Sequence, residues 1–460
     1  MTALDAVLSL PPVRRGELGI PRIAGVAALE MLRMGADPLG YITRAARLGN
    51  VVELPMLGER VLLLSHPDHV RYVLTDPVFG KSTFYEKVRP LLGYGLVTSE
   101  GELWKRQRRL MQPAFHKDAI EGMVAIMVRR TRGLMDEWSA AAASGEPLDA
   151  FRHLMRLTQR IVVEALFGDD IGADEDRVTE AANTILAHAE RRIWRPLDPP
   201  NWVPTPENRR TARSIADLDR IVNGIVDRRR EGRPRQDLLQ MLLDARDEDG
   251  QPMPAHQVRD EVLTLLISGH ETTGTSLAWA LLALALHPAY RRRARSEAAT
   301  WPDAPLANSV RQQPFIRAVI DESLRWMPPA WTISRVALED TEIGGHAIPA
   351  GTSLMCAPYL VHRNPDWWPD PEAFDPNRWT GESPQAARRA YVAFGAGARV
   401  CIGQAFSMTE MTVVLAEILR RFDFSLLSGA DVRPRPMIML KPSPGVPLVL
   451  RECKAPAAAS

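Results

Sequence analysis

Phe394-Gly395-Ala396-Gly397-Ala398-Arg399-Val400-Cys401-Ile402-Gly403 is the stretch on which the reading of this chain turns. It sets one cysteine between a glycine-rich turn and a segment that predicts a helix from about Gln404 to Arg421. Glycine accepts φ > 0, so this backbone can fold tightly beneath a flat ligand. Such a fold brings N–H groups towards the sulfur, and the helix start adds partial positive charge; both favour thiolate over thiol. A thiolate held this way suits the axial position of a haem iron, with Arg399 placed to pair a propionate. Taken alone, Cys401 also reads as a small buried core residue.

At 460 residues the length predicts about three domains. No internal repeat or low-complexity linker divides the chain, so one domain over 1–460 is expected, with about 1–45 and 453–460 peripheral. A hydrophobic fraction of 45% and a charged fraction of 25% are those of a globular protein with ample core. A net charge of +1 gives no reason to expect nucleic acid or an anionic membrane as partner. The three cysteines, at 356, 401 and 453, form no CxxC pair, no zinc spacing and no disulfide scaffold, which suits a reducing cytosol. The N-terminus lacks a secretory pattern, and Pro11, Pro12, Gly16, Gly19 and Pro21 predict a loop there. No run of 18 or more apolar residues occurs, so a soluble, cytoplasmic protein is expected.

Outward from the cysteine, the longest periodic element is a helix from about Ala255 to Leu286, on the order of 48 Å long. Its centre, Ser268-Gly269-His270-Glu271-Thr272-Thr273-Gly274, is poor in helix formers and predicts a weakened or kinked middle. There Gly269 permits close approach of a flat ligand, Thr272 supplies a hydroxyl and Glu271 an acid. A threonine back-bonded to the carbonyl one turn earlier is the alternative.

Residues 51–64 predict a strand pair, and His66-Pro67-Asp68 opens a helix. Residues 79–98 predict a glycine-rich loop whose Phe84, Tyr85, Leu91, Leu92 and Tyr94 either cover a greasy ligand or pack ordinarily. Trp104 and Arg108 lie four apart on one helical face, while Lys105, Arg106 and Arg109 form a basic patch, for docking or merely solvated. Helical periodicity runs over 119–168 with a break near Ser144–Pro147. The proline-dense stretch 191–206 is an access lid or a stiff linker. Glu322 and Arg325 share a helical face; Pro328 and Pro329 then force extended chain through Ala330-Trp331-Thr332-Ile333-Ser334-Arg335. Short strands are predicted within 341–351 and 353–357. His116, His270, His346 and His362 are given no ligand role.

Phe394, Gly395, Gly397, Arg399, Cys401 and Gly403 stand where the haem-binding loop of the cytochrome P450 family has them, and the resemblance extends over about 50–450. Trp104…Arg108, the 269–273 segment, Glu322-x-x-Arg325, Phe374…Arg378 and the Cys401 loop follow in the family order. The resemblance implies a mainly α fold with small β-sheets, and haem b (iron protoporphyrin IX) between the long helix and the cysteine loop. It implies Cys401 as metal ligand, and Trp104, Arg108, Gly269, Arg335, Phe394, Arg399 and Gly403 about the cofactor. Glu271 and Thr272 would be the catalytic proton-delivering pair, and Glu322, Arg325 and Arg378 an architectural cluster. Ser268 stands where the family often has Ala or Gly. Phe84, Tyr85, Leu265, Ser268, Trp331, Ile333 and Met437 would shape an apolar substrate pocket.

The implied activity is monooxygenation of a terpenoid, fatty acid or polyketide by dioxygen in a monomer. Electrons would come from a separate ferredoxin and its reductase, since no reductase follows the cysteine helix. A peroxygenase of the same fold would not need the Glu271–Thr272 pair, nor would a haem-thiolate sensor.

Overall fold

The long helix forms without a break in the computed structural model, which describes residues 13–168, 174–194, 199–200, 202–235, 237–246, 250–381 and 385–453. Helices α1 (Phe84–Leu92), α2 (Gly101–Met111), α3 (Ala150–Phe167), α4 (Ala255–Leu286), α5 (Pro314–Trp326) and α6 (Gln404–Arg421) position the site. Among the described residues, β1 (Val13–Arg15), β2 (Pro21–Ile23), β3 (Val51–Leu54), β4 (Val61–Leu64), β5 (Phe79–Gly80), β6 (Ile333–Ala337) and β7 (Ser353–Cys356) make one sheet. Its order is β1-β2-β3-β4-β7-β6-β5, parallel at β2–β3 and β4–β7 and antiparallel elsewhere. The remaining sheets are small, so the fold is mainly helical, as expected.

α4 is buried along most of its length because apolar side chains occupy nearly every face from Leu277 to Leu284. It lies along α3, where the Thr158 hydroxyl donates to the His270 carbonyl at 2.9 Å. Its centre is α-helical throughout. Ser268, Thr272 and Ser276 each donate a hydroxyl to the carbonyl four residues back, at 2.5, 2.7 and 2.8 Å. The weak helix formers are therefore absorbed by local side-chain hydrogen bonds and by packing, which outweigh propensity.

Two further expectations are corrected. Residues 79–98 are not one loop: 79–80 pair with β6, and 84–92 are the helix α1. Pro90 within that helix hid it from a propensity reading, although proline near an end is tolerable where tertiary packing holds the turn. Nor are residues 13–45 peripheral. β1 and β2 form a hairpin on the sheet edge, and Ile20, Ile23, Met34, Tyr41, Ile42 and Ala45 are core. The stretch 195–198 with residue 201, part of the proline-dense lid or linker, and the tail 454–460 lie outside the described residues.

The acid–base cluster is buried, as its residue types require if they are to hold anything. Arg325 grips both oxygens of Glu322 at 2.8 Å and donates to the carbonyls of His362, Pro371 and Ala373 at 3.0, 2.7 and 2.8 Å. Glu322 also accepts from Asp375 N–H and Trp379 Nε1, and Arg378 Nε lies 3.4 Å from it. His362, given no ligand role in the sequence, proves to be a connector. Its Nδ1 lies 3.2 Å from the Arg325 carbonyl and its Nε2 accepts from Val392 N–H at 3.0 Å. Burial and then the charges of Arg325 and Arg363 push its pKa down to about 3, so the ring stays neutral and can accept.

Glu410 on α6 is a second buried acid, with neither oxygen hydrogen-bonded, and burial pushes its carboxyl well above the usual range.

Arg325→Met leaves Glu322 charged and buried, and lowers unfolding free energy by about 3–5 kcal/mol in denaturant titration. A change below about 1 kcal/mol would deny the cluster its architectural role. For Glu410 the folded pKa lies above the unfolded one, so its contribution is best at low pH and worsens as pH rises past about 4.5. Glu410→Gln is thus expected to gain stability on the parent chain between pH 5 and pH 8, read from denaturation midpoints; a pH-independent difference contradicts this.

Candidate active site

Two cavities meet at the middle of α4. The first, about 320 Å³, lies between α4 and the 394–403 segment that leads into α6. That segment is shaped by glycine: Gly395 and Gly397 have φ of +75° and +70°. A Cβ at Gly397 would lie 2.8 Å from Thr75 Cα and 2.9 Å from the Leu74 carbonyl oxygen, so only glycine fits there. Cys401 N–H donates to the Phe394 carbonyl and Gly395 N–H to the Val392 carbonyl, both at 2.9 Å. These closures point the cysteine into the cavity, where its exposed surface lies within a wall of protein.

Burial raises the Cys401 pKa, opposed by the Gly403 N–H and the Arg108 charge. A metal coordinated there would deprotonate the thiol outright.

Cations surround the same cavity. Arg108, on the α2 face with Trp104, lines it and donates to the Val400 carbonyl at 2.8 Å. Arg399 is stacked 4.4 Å over the Trp104 ring and paired with Glu100, yet its Nη1 is buried and unpartnered. Arg335 is buried on β6 and contacts only the Ser334 carbonyl at 3.0 Å and the Tyr85 hydroxyl at 3.4 Å among the described residues. Lys81, which sequence reading missed, completes the set. Burial and then repulsion from Arg399 push its pKa down to about 7, and it donates to the carbonyls of Leu96 and Ser99 at 3.0 and 2.6 Å. No local pattern marks Lys81; only the fold brings it here.

Across the cavity from Cys401, α4 contributes Leu265, Ser268, Gly269 and Thr272. Gly269 lines the wall by its backbone, but the space its Cβ would take is held by Val162 of α3, 3.0 Å away. Its smallness serves helix packing as much as ligand approach. Phe394, Gly403 and Trp104 also line this cavity, as expected.

The second cavity, about 270 Å³, shares Tyr85, Val97, Ser268, Ala330 and Ile333 with the first. Phe84, Trp331 and Met437 line it, and Trp331 Nε1 donates to the Met437 carbonyl at 2.7 Å. Glu271 faces this side, away from Thr272, because successive helical residues point about 100° apart. It forms a buried ion pair with Lys441 of the strand Leu440–Ser443, and Glu190 lies close enough for Lys441 and Glu271 to perturb it. Lys441 and Glu190 are further residues that sequence reading missed.

The residues fit a haem. Its two carboxylates match cations left partly unsatisfied, its apolar disc matches a wall that includes Leu265, Ile333 and Phe394, and its iron matches the thiol.

Known proteins give the same answer. The family model described as cytochrome P450 matches residues 30–449. Over 410 residues the chain is 36% identical to cyclooctat-9-en-7-ol 5-monooxygenase of Streptomyces melanosporofaciens, covering 86% of this chain and 87% of the relative. Cyclooctatin synthase of the same organism is 33% identical, with 93% of each chain covered. Pentalenene oxygenase of Streptomyces avermitilis is 33% identical, with 88% of this chain and 90% of the relative covered. The chain belongs to the cytochrome P450 family and is a haem-thiolate monooxygenase, an oxidoreductase that acts on apolar substrates with dioxygen and electrons from redox partners.

Proposed function

We propose that Cys401 ligates the iron of a haem b and that the chain, as one domain, hydroxylates a terpenoid carried in the second cavity. The observation that supports this most is the opposition of Cys401 and Thr272 across one cation-ringed cavity. When bound, the haem supplies the activation of dioxygen, one atom going to substrate and one to water. Arg108, Arg335, Arg399 and Lys81 neutralise its propionates. Trp104 holds Arg399 in place by stacking against its guanidinium. Glu322, Arg325 and Arg378 fix the loop from behind and take no part in the chemistry.

Thr272 holds a hydroxyl at the cavity wall, and Glu271 holds the proton supply on the other side of α4. Lys441 pairs with that acid and Glu190 lies within electrostatic reach of both; on this reading protons reach Thr272 by way of Glu271. Ser268 lines both cavities and sits between them. Phe84, Tyr85, Trp331 and Ile333 exclude water from the substrate and set its pose, and Leu265 meets it from the first cavity. Relatives named for cyclooctat-9-en-7-ol and pentalenene favour a terpenoid over a fatty acid or polyketide.

For the electron donor we favour a ferredoxin with its reductase. Arg106 and Arg109 on α2 have no ion-pair partner among the described residues, whereas Lys105 is paired with Glu102. An acidic iron–sulfur protein suits that face. No described helix is long and apolar enough to cross a membrane, and the three cysteines are unpaired. A monomer in a reducing cytoplasm accords with the free thiols.

Cys401→Ala is expected to abolish the absorption band that sulfur-ligated ferrous iron gives with carbon monoxide; a retained band would remove the assignment. Thr272→Ala should lower product formed per electron consumed by on the order of 10²-fold, at unchanged substrate affinity. Lys441→Met should slow turnover about 10-fold without altering substrate Kd, and equal turnover would take Lys441 out of the proton path.

A further inference from the structure

The second cavity is apolar over most of its wall but not at one end. Glu59, Thr83, Lys87 and Ser353 line it there, and none of them lines the cavity that holds Cys401. None of the four belongs to the wall of Tyr85, Ser268 and Ile333 that the two cavities share, and Thr83 is exposed. It is a built arrangement. Glu59 sits in the turn between β3 and β4, and its Oε2 accepts from Thr83 Oγ1 at 3.1 Å and from Ser353 Oγ at 2.9 Å. Two hydroxyls from separate elements thus fix the carboxylate, while Oε1 keeps its lone pairs unclaimed among the described residues.

Lys87 projects from α1 into the same corner and has no hydrogen-bond or ion-pair partner among the described residues. Burial lowers its pKa; Glu59 opposes that and Arg192 adds to it, so the ammonium lies within electrostatic reach of the carboxylate. The corner therefore offers one fixed acceptor and one free donor beside an apolar chamber.

We infer that the substrate enters already carrying a hydroxyl group, which donates to Glu59 and accepts from Lys87 while the hydrocarbon body extends to the Cys401 cavity. A hydroxyl satisfies both partners at once, donating to the carboxylate and accepting from the ammonium. A bare hydrocarbon satisfies neither. A carboxylate would pair with Lys87 but press its charge against Glu59. The new oxygen consequently goes to a carbon distant from the existing one. The substrate must then be supplied by a reaction that installs a hydroxyl on a hydrocarbon skeleton, such as water capture of a carbocation or an earlier hydroxylation. This rests on the terpenoid reading above.

The test uses the haem-loaded enzyme and the Soret shift on substrate binding, with abietadiene, abietadienol and abietic acid as hydrocarbon, alcohol and acid on one skeleton. 2,6,10-Trimethyldodeca-2,6,10-triene, farnesol and farnesoic acid form a second series. The alcohol is expected to bind about 10-fold tighter than the hydrocarbon in at least one series. Glu59→Ala and Lys87→Met should each erase that preference while leaving hydrocarbon Kd and the carbon monoxide band unchanged; Glu59→Gln should keep part of it. Equal affinity for hydrocarbon and alcohol, or a preference that survives both variants, overturns the inference and leaves the terpenoid reading standing. Tightest binding of the acid overturns it in favour of a carboxylate anchor. No shift from any member of either series removes the terpenoid reading and this inference together.

Discussion

A single buried ion pair sets where the cysteine can be. Glu322 and Arg325 are both inaccessible to solvent; Arg325 donates to three carbonyls of the 362–373 segment, and Glu322 accepts from Asp375 N–H and Trp379 Nε1. From there a run of hydrogen bonds reaches the site. The Arg325 carbonyl meets His362, His362 takes Val392 N–H, the Val392 carbonyl takes Gly395 N–H, and the Phe394 carbonyl takes Cys401 N–H. The pair contributes little net stability, since its Coulomb attraction mostly offsets desolvation. What it contributes is position, because breaking any one partner would leave a buried charge or a buried amide without its hydrogen bond.

The cavity above that cysteine is electrostatically unfinished, and this is informative. Four cations line it against few nearby acids: Glu100 pairs with Arg399 and accepts Lys81 N–H, and Glu261 accepts from Leu96 N–H and Gln257. Charges of one sign repel, and Lys81 and Arg399 each lose proton affinity to burial and to neighbouring cations. A protein maintains such a surplus only where a ligand of opposite charge compensates it. The two carboxylates of a haem would do so, consistent with the thiol and the apolar side chains that line the same cavity.

What could be read in advance follows from the range of the interactions. The cysteine loop, the strands β3 and β4, the span Ala255–Leu286 and the Glu322/Arg325 spacing are encoded within a few residues each, by glycine, alternation, periodicity and i,i+3 geometry. All four stand where their local patterns put them. Helix α1 was hidden by Pro90, and the N-terminal hairpin by its prolines and glycines, because those breakers weigh more in isolation than against a sheet edge or a helix partner. Lys81, Lys441, Glu190 and Glu410 carry no local signature at all. Their environment is made by segments far apart in the chain, as Lys441 meeting Glu271 across 170 positions illustrates.

The division of α4 into two faces is the last consequence. Glu271 and Thr272 are neighbours in sequence and invite treatment as one catalytic dyad, yet a helix turns about 100° per residue and sends them into different cavities. Their hydrogen-bonding states differ to match: the acid is held by Lys441, the hydroxyl by the Ser268 carbonyl. A proton passing between them must therefore go around the helix rather than along it. Ser268 is the polar residue of α4 that borders both cavities, one turn below Thr272. Its own hydroxyl is held to the Thr264 carbonyl at 2.5 Å. The extra hydroxyl at position 268 thus stands where the geometry of the helix itself creates a gap between acid and alcohol.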